Sequence, residues 1–373
     1  MEPIYLDNGT ATRPSSHLIS QMQPFYRRHF HSPLSPYLNG KEPFFSINQA
    51  EEKIRALVGA HPQDHFQFSS SGSAAIASVY QSIYMDQICQ SGKCHIVTTA
   101  SEEAPIHLLG KHYEKLGVYQ KKVSLNCHGQ MTREALEAVL SPKIGALSLS
   151  WANGLTGVIH PILELAELCK EKGILVHVDA SQVLGKLYLQ FAELPIDYFT
   201  FEGTLIHGPR GSGALFASKG IDFTPNVPEG MPGAELNVPS FIGLGIAAEE
   251  TSQNFEQLSL EVPRLRDLLE EGVCYGLPDV HVLYQEVERL PNVSAMSFPG
   301  VHHELLAFHL REAGVYASFG GGQKQKLEYL THDPSALSFS LSRETTEEEI
   351  HRATSIIVDA VQKCQTFSRE VSL

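Results

Sequence analysis

The chain has 373 residues, 42% hydrophobic and 19% charged. These are the proportions of a folded globular protein, and they exclude disordered, collagen-like and coiled-coil chains. Its net charge of −14 opposes nonspecific attraction to nucleic acid or to an anionic membrane surface. The length predicts one large and one smaller domain. No apolar run approaches the roughly 18 residues of a transmembrane helix. Met1 to Asn8 contain an acid and no basic leader region. The expectation is a cytoplasmic protein with no nucleic-acid or membrane partner.

In chain order, Ser46 and Gln49 have capping-box spacing and predict a helix start, with Ala50, Ile54, Leu57 and Val58 on the apolar face. A second helix starts near Ser73, with Ile76, Val79, Tyr80 and Ile83 inward. From about residue 95 to 218, apolar β-branched runs alternate with helical patterns, the sign of parallel strands joined by crossover helices. The strands are expected at His95 to Thr99, Gly145 to Trp151, Ile174 to Val178, Tyr198 to Phe201 and Gly213 to Ala217. Pro161 to Lys172 reads as a crossover helix with Ile162, Leu165, Ala166 and Cys169 on one face. The proline- and glycine-rich stretch from Ile221 to Pro239 reads as a long loop. Helical spacing resumes from Pro239 to about Asn254, where a domain boundary is expected. Thr345 and Glu348 predict a last helix start, ahead of a stripe of Ile350, Ala353, Ile357, Ala360 and Val361.

Six cysteines are too sparse for a disulfide framework and are expected to be reduced. Cys89, Cys94 and His95 match no zinc spacing, so no metal site is expected.

Several segments carry a resemblance. They are Tyr5-Leu6-Asp7-Asn8, Phe68 to Ser73, Thr98-Thr99-Ala100, Ala152 to Ile162, His177 to Gln182, Gly208 to Leu215, Asn237-Val238-Pro239 and Thr345 to Ile350. In this order and spacing, across nearly the whole chain, they resemble the NifS-like cysteine desulfurases of the class V aminotransferase group. The resemblance implies an α/β fold of the type-I pyridoxal-phosphate transferases. Residues 16–254 would form a large domain around a mostly parallel seven-stranded sheet flanked by helices. Residues 255–373, with 1–15, would form a smaller α+β domain. It also implies a homodimer with pyridoxal phosphate at the carboxyl ends of the strands.

Within that resemblance Asp179 matches the carboxylate that pairs with the pyridinium nitrogen. In isolation it would read as a helix cap. Gln182 and Asn153 match residues that bond the ring's phenolic oxygen. Gly72 and Ser73 open a helix whose free amides suit a phosphate, although Ser-Gly-Ser is equally a good N-cap.

The departures concern the chemistry. Leu205 stands where the family has the lysine of the Schiff base, and leucine forms no imine. Glu202 replaces a phosphate-binding serine, and Glu235 a threonine that reaches the partner subunit's phosphate. One carboxylate about 4 Å from a phosphate charge costs on the order of 4 kcal/mol at an effective dielectric of about 20, roughly three decades of affinity. Glu103 stands for the ring-stacking histidine, Gly322 for the nucleophilic cysteine, and Ser338 for the arginine that clamps the substrate carboxylate.

The expectation is a noncatalytic homologue without a catalytic residue or bound cofactor. It would act by binding a partner, such as a sulfur-transfer or iron-sulfur assembly protein, or a small ligand. One alternative is a rewired pyridoxal-phosphate enzyme using Lys324 or Lys326. The other is an enzyme of another class, built from Glu103, Glu202, Thr204, His207 and Asp179 by acid-base or metal chemistry.

Overall fold

The computed structural model describes residues 2–32, 41–226, 236–321 and 326–371, except the side chains of 41–45 and 367–371. The chain opens with β1 (Ile4–Tyr5), α1 (Ser16–Arg27) and α2 (Lys41–Val58). Then come β2 (His65–Ser69), α3 (Gly72–Ser82), a π-helical turn (Ile83–Ile88) and the short α4 (Cys89–Ser91). The central part holds β3 (His95–Thr99), α5 (Ala104–Glu114), β4 (Tyr119–Val123), α6 (Arg133–Glu137) and β5 (Ile144–Ser150). It continues with α7 (Ile162–Glu171), β6 (Leu175–Asp179), β7 (Tyr198–Glu202) and β8 (Gly213–Ala217). The remainder is α8 (Val238–Gln253), α9 (Phe255–Gly276), β9 (His281–Val282), β10 (Val293–Ser297), α10 (His303–Glu312), β11 (Val315–Tyr316), α11 (Leu327–Thr331), β12 (Ala336–Ser340) and α12 (Glu347–Val371).

Seven strands pair in the order β2-β8-β7-β6-β5-β3-β4. Only β8 runs antiparallel to its neighbours; the other pairings in this sheet are parallel. This is the mostly parallel α/β sheet that the resemblance implies. Helices cover both faces, so the central strands are deeply buried: every residue of β5 and β8 is buried. The five strands expected from sequence appear to within one residue at either end. α8 is buried on nearly all sides and packs on α1 and α2. Gly245 permits this approach, since a Cβ there would lie 2.5 Å from Ala50 Cα.

A second hydrophobic core gathers Ile4 and Leu6 with Leu265 and Leu269 of α9, Phe339 of β12, and Ile357 and Val361 of α12. Its sheet is β12-β10-β9, and β1 pairs with β11.

Two helix starts differ from expectation. α2 begins at Lys41, which places Ser46 inside the helix. Ile47 and Ala50 pack against the first core, so the helical face already runs through this turn. At α12 the reciprocal cap is one residue later than Thr345 and Glu348. Thr346 Oγ1 accepts the Glu349 N–H at 3.2 Å, and Glu349 Oε2 accepts the Thr346 N–H at 3.0 Å. Thr345 instead accepts the Ser342 N–H. Residues 221–226 of the expected loop have no regular structure, and α8 starts at Val238.

Candidate functional site

A cavity of about 330 Å³ opens at the carboxyl ends of the central strands. Glu102 and Glu103 reach it from the turn after β3 and Asn153 from beyond β5. Asp179 and Glu202 are the last residues of β6 and β7. The N-terminus of α3 supplies Gly72 and Ser73, while Ser318, Gly320 and Ser338 come from the side of the second core. Parallel strands bring their ends to one rim, and residues far apart in sequence meet there.

Asp179 is 5% exposed. Its Oδ1 accepts from Ser181 N (3.2 Å), Ser181 Oγ (2.6 Å) and Thr200 Oγ1 (3.4 Å). Because Thr200 donates to Asp179, it accepts from His177 Nε2 at 3.0 Å, which leaves Nδ1 to accept from Ser148 Oγ at 2.9 Å. Tyr80 donates to Ser148 at 3.3 Å, so a buried chain runs from Tyr80 beneath the sheet to Asp179. Burial holds the imidazole neutral, pushing His177 down to about 3. Burial also pushes the Asp179 carboxyl up to about 6 against its hydrogen bonds, and the nearby Glu202 charge adds to the rise.

Glu202, at the end of the adjacent strand, turns toward α3. Its Oε2 accepts the Gly72 N–H at 2.7 Å, and its Oε1 accepts from Thr204 Oγ1 at 3.1 Å and Thr204 N at 3.4 Å. A carboxylate thereby sits on a free amide at the positive end of an eleven-residue helix, the place where such a helix attracts an anion. Glycine eases the contact: a Cβ on residue 72 would lie 3.0 Å from Glu202 Cβ and 3.2 Å from its Cα, so the backbones would have to give by a few tenths of an ångström. The helix is also capped by Ser71, whose hydroxyl accepts the Ala74 N–H at 3.1 Å.

The other expected site residues divide into those facing the cavity and those elsewhere. Leu205 closes the 3₁₀ turn Gly203–Leu205, is 7% exposed, and lines the cavity with its apolar side chain. Glu103 is the N-cap residue of α5, makes no side-chain capping bond to the helix, and lines the cavity. Asn153 lines it too, but its amide is engaged: Nδ2 donates to Ser101 O, and Oδ1 accepts the Leu155 and Thr156 N–H groups. Gln182 donates to Gly9 O at 3.1 Å, and its Oε1 is buried without a hydrogen-bond partner. Ser338 is 2% exposed and gives its hydroxyl to Leu155 O at 2.7 Å. Gly322, Glu235 and Lys324 lie outside the described residues.

Three residues considered for other chemistry turn elsewhere. Lys326 pairs with Glu304 at 2.8 Å and lies over the Phe319 ring on the surface. His207, in the left-handed backbone region at φ 63°, directs Nδ1 at Arg13 O at 2.7 Å and is pushed down to about 4 by burial. It anchors the N-terminal segment. Thr204 is tied to Glu202. Among the described residues no group of three or more His, Cys, Asp or Glu side chains could hold a metal ion. All six cysteines are free. No helix of the described residues is long and apolar enough to cross a membrane.

Sequence reasoning missed Glu102. It is 1% exposed, accepts from Thr99 Oγ1 (2.6 Å) and Ser150 N (2.6 Å), and is pushed up to about 7 by burial. It lies three residues past the end of β3, and no local pattern separates it from the adjacent Glu103. Asp7 lines the cavity too, its carboxyl raised by burial.

With the site in place, likeness to known proteins bears on it. The class-V aminotransferase family matches residues 4–231. A cysteine desulfurase of Cereibacter sphaeroides is 32% identical over 99% of both chains. One from Sinorhizobium fredii is 31% identical over 97% of both. A solved NifS-like protein superposes with a TM-score of 0.89 at 26% identity, covering 97% of this chain and 100% of its own. Sheet order, cavity position and likeness over the full length agree, and the chain belongs to the NifS-like cysteine desulfurases of the class-V aminotransferase family.

Proposed function

We propose that this member of a family of enzymes is a noncatalytic homologue that keeps the desulfurase scaffold and works by binding. The observation that carries the reading is the Glu202 carboxylate on the Gly72 amide, beside Leu205. Pyridoxal phosphate, which the family implies, does not fit these residues. Leu205 offers no amine for an imine, and the α3 terminus that would receive a phosphate already holds an anion from its own chain. The hydroxyl of Ser338, donated to a backbone carbonyl, gives no bidentate grip on a substrate carboxylate. By the same resemblance the working form is a homodimer, and its partner is a protein of sulfur transfer or iron-sulfur assembly.

Protein purified with excess pyridoxal phosphate is expected to show no visible imine band, no pyridoxyl-lysine after borohydride reduction and mass mapping, and no sulfide release from cysteine. An imine band that disappears in Asp179→Ala would overturn the reading.

A further inference from the structure

We infer that the cavity at the strand ends is a site for a small organic cation, an ammonium or guanidinium bearing N–H donors, in place of an anionic cofactor. The inference rests on the noncatalytic reading above and names the ligand class of that same site. The lining includes Asp7, Glu102, Glu103, Asp179 and Glu202, and among the described residues no Lys, Arg or His.

Charge alone would leave this an acidic surface, but a buried acceptor and a carboxylate oxygen without a donor give it direction. Gln182, 6% exposed, gives one N–H of its amide to Gly9 O, and its Oε1 has no donor. Asp179 receives all three of its hydrogen bonds on Oδ1, and Oδ2 receives none among the described residues. Both residues line the cavity, three positions apart at the end of β6 and just beyond it. A buried acceptor without a donor is costly, so the site favours a molecule that brings donors. An anion meets the carboxylates' field whatever donors it carries; a neutral donor answers the acceptors but not the charge. A cation with N–H groups answers both. The volume, about 330 Å³, is at the lower end of small-molecule sites and suits a diamine or a guanidino-amine. The α3 terminus, the feature that would draw an anion, is already neutralised by Glu202.

Isothermal titration calorimetry on the full chain near neutral pH tests this, with putrescine and agmatine as cationic probes and sulfate and pyridoxal phosphate as anionic ones. The expected result is saturable binding of at least one amine, weakened about tenfold or more in Asp179→Asn and in Gln182→Leu, with no binding of the anions. Both variants are checked for an intact thermal transition; Glu202→Gln, which keeps its hydrogen-bond acceptor, serves as a further charge-removing variant. Absence of amine binding, or equal binding by wild type and all three variants, overturns the cation site and leaves the noncatalytic reading standing. A pyridoxal-phosphate imine or sulfide release overturns the noncatalytic reading instead.

Discussion

The ends of β6 and β7 lie side by side, each closing with an acid, yet the two acids are held in opposite ways. Asp179 points inward onto donors of its own and the neighbouring strand, backed by a buried chain through Thr200, His177 and Ser148. Glu202 reaches across to another element and settles on the Gly72 amide. The first arrangement is woven into the sheet and could not change without disturbing several buried partners. The second depends on one glycine and one helix end, which accept any compact anion. The contrast teaches that support from buried partners preserves a site residue, whereas a helix terminus leaves its occupant exchangeable.

The strongest way to break this contrast is to vacate the β7 side. Glu202→Ser combined with Leu205→Lys is expected to raise affinity for pyridoxal phosphate by roughly three decades and to give a visible imine band. A double variant that still refuses the ligand would show that the exclusion lies elsewhere.

On the β6 side, the effect is on stability. The folded-state carboxyl of Asp179 lies at about 6, above its ordinary value of 3.8. Between about pH 4 and 6 the folded chain therefore binds more protons than the unfolded one, and this contribution falls as pH rises through that window. All three donors lie on Oδ1, so an asparagine oxygen can keep them while its amide faces the cavity. Asp179→Asn is expected to stabilise the protein at neutral pH by about 1–3 kcal/mol and to flatten part of the pH slope in denaturant unfolding.

Asn153 sharpens the view of the rim between these ends. Asn153→Ala orphans the Leu155 and Thr156 N–H groups and is expected to cost about 2 kcal/mol, measured by the same unfolding curves. The smallest effect is expected for Glu202→Gln, which keeps an acceptor for Gly72 and loses only the charge at the helix end. A loss of about 0.5–1 kcal/mol, smaller at high salt, would fit. A larger loss would mean that Glu202 is woven in as firmly as Asp179.

The central strands were legible because burial on both faces favours apolar runs such as Ala214 to Ala217. The edge strand β4 was not: Gln120, Lys121 and Lys122 occupy most of it, and at a sheet edge one side answers to solvent. Capping residues were read one position early at α12 because consecutive threonines and glutamates offer two boxes of equal spacing. Of the site, Asp179, Gln182, Glu202 and Leu205 were found through the resemblance. Glu102 was not, since nothing local distinguishes the fully buried acid from the half-buried one beside it.

The sequence by itself determined the family, five strands of the large sheet with several of its helices, and leucine at position 205, because these follow from residue identity and periodicity. Only the tertiary structure decided where the two strand-end acids point. Which donor a carboxylate finds depends on elements brought together from far apart in the chain: Gly72 for Glu202, Thr200 for Asp179. The absence of a donor for Gln182 Oε1 has the same origin, since burial removes water from an atom only once the whole fold has closed around it.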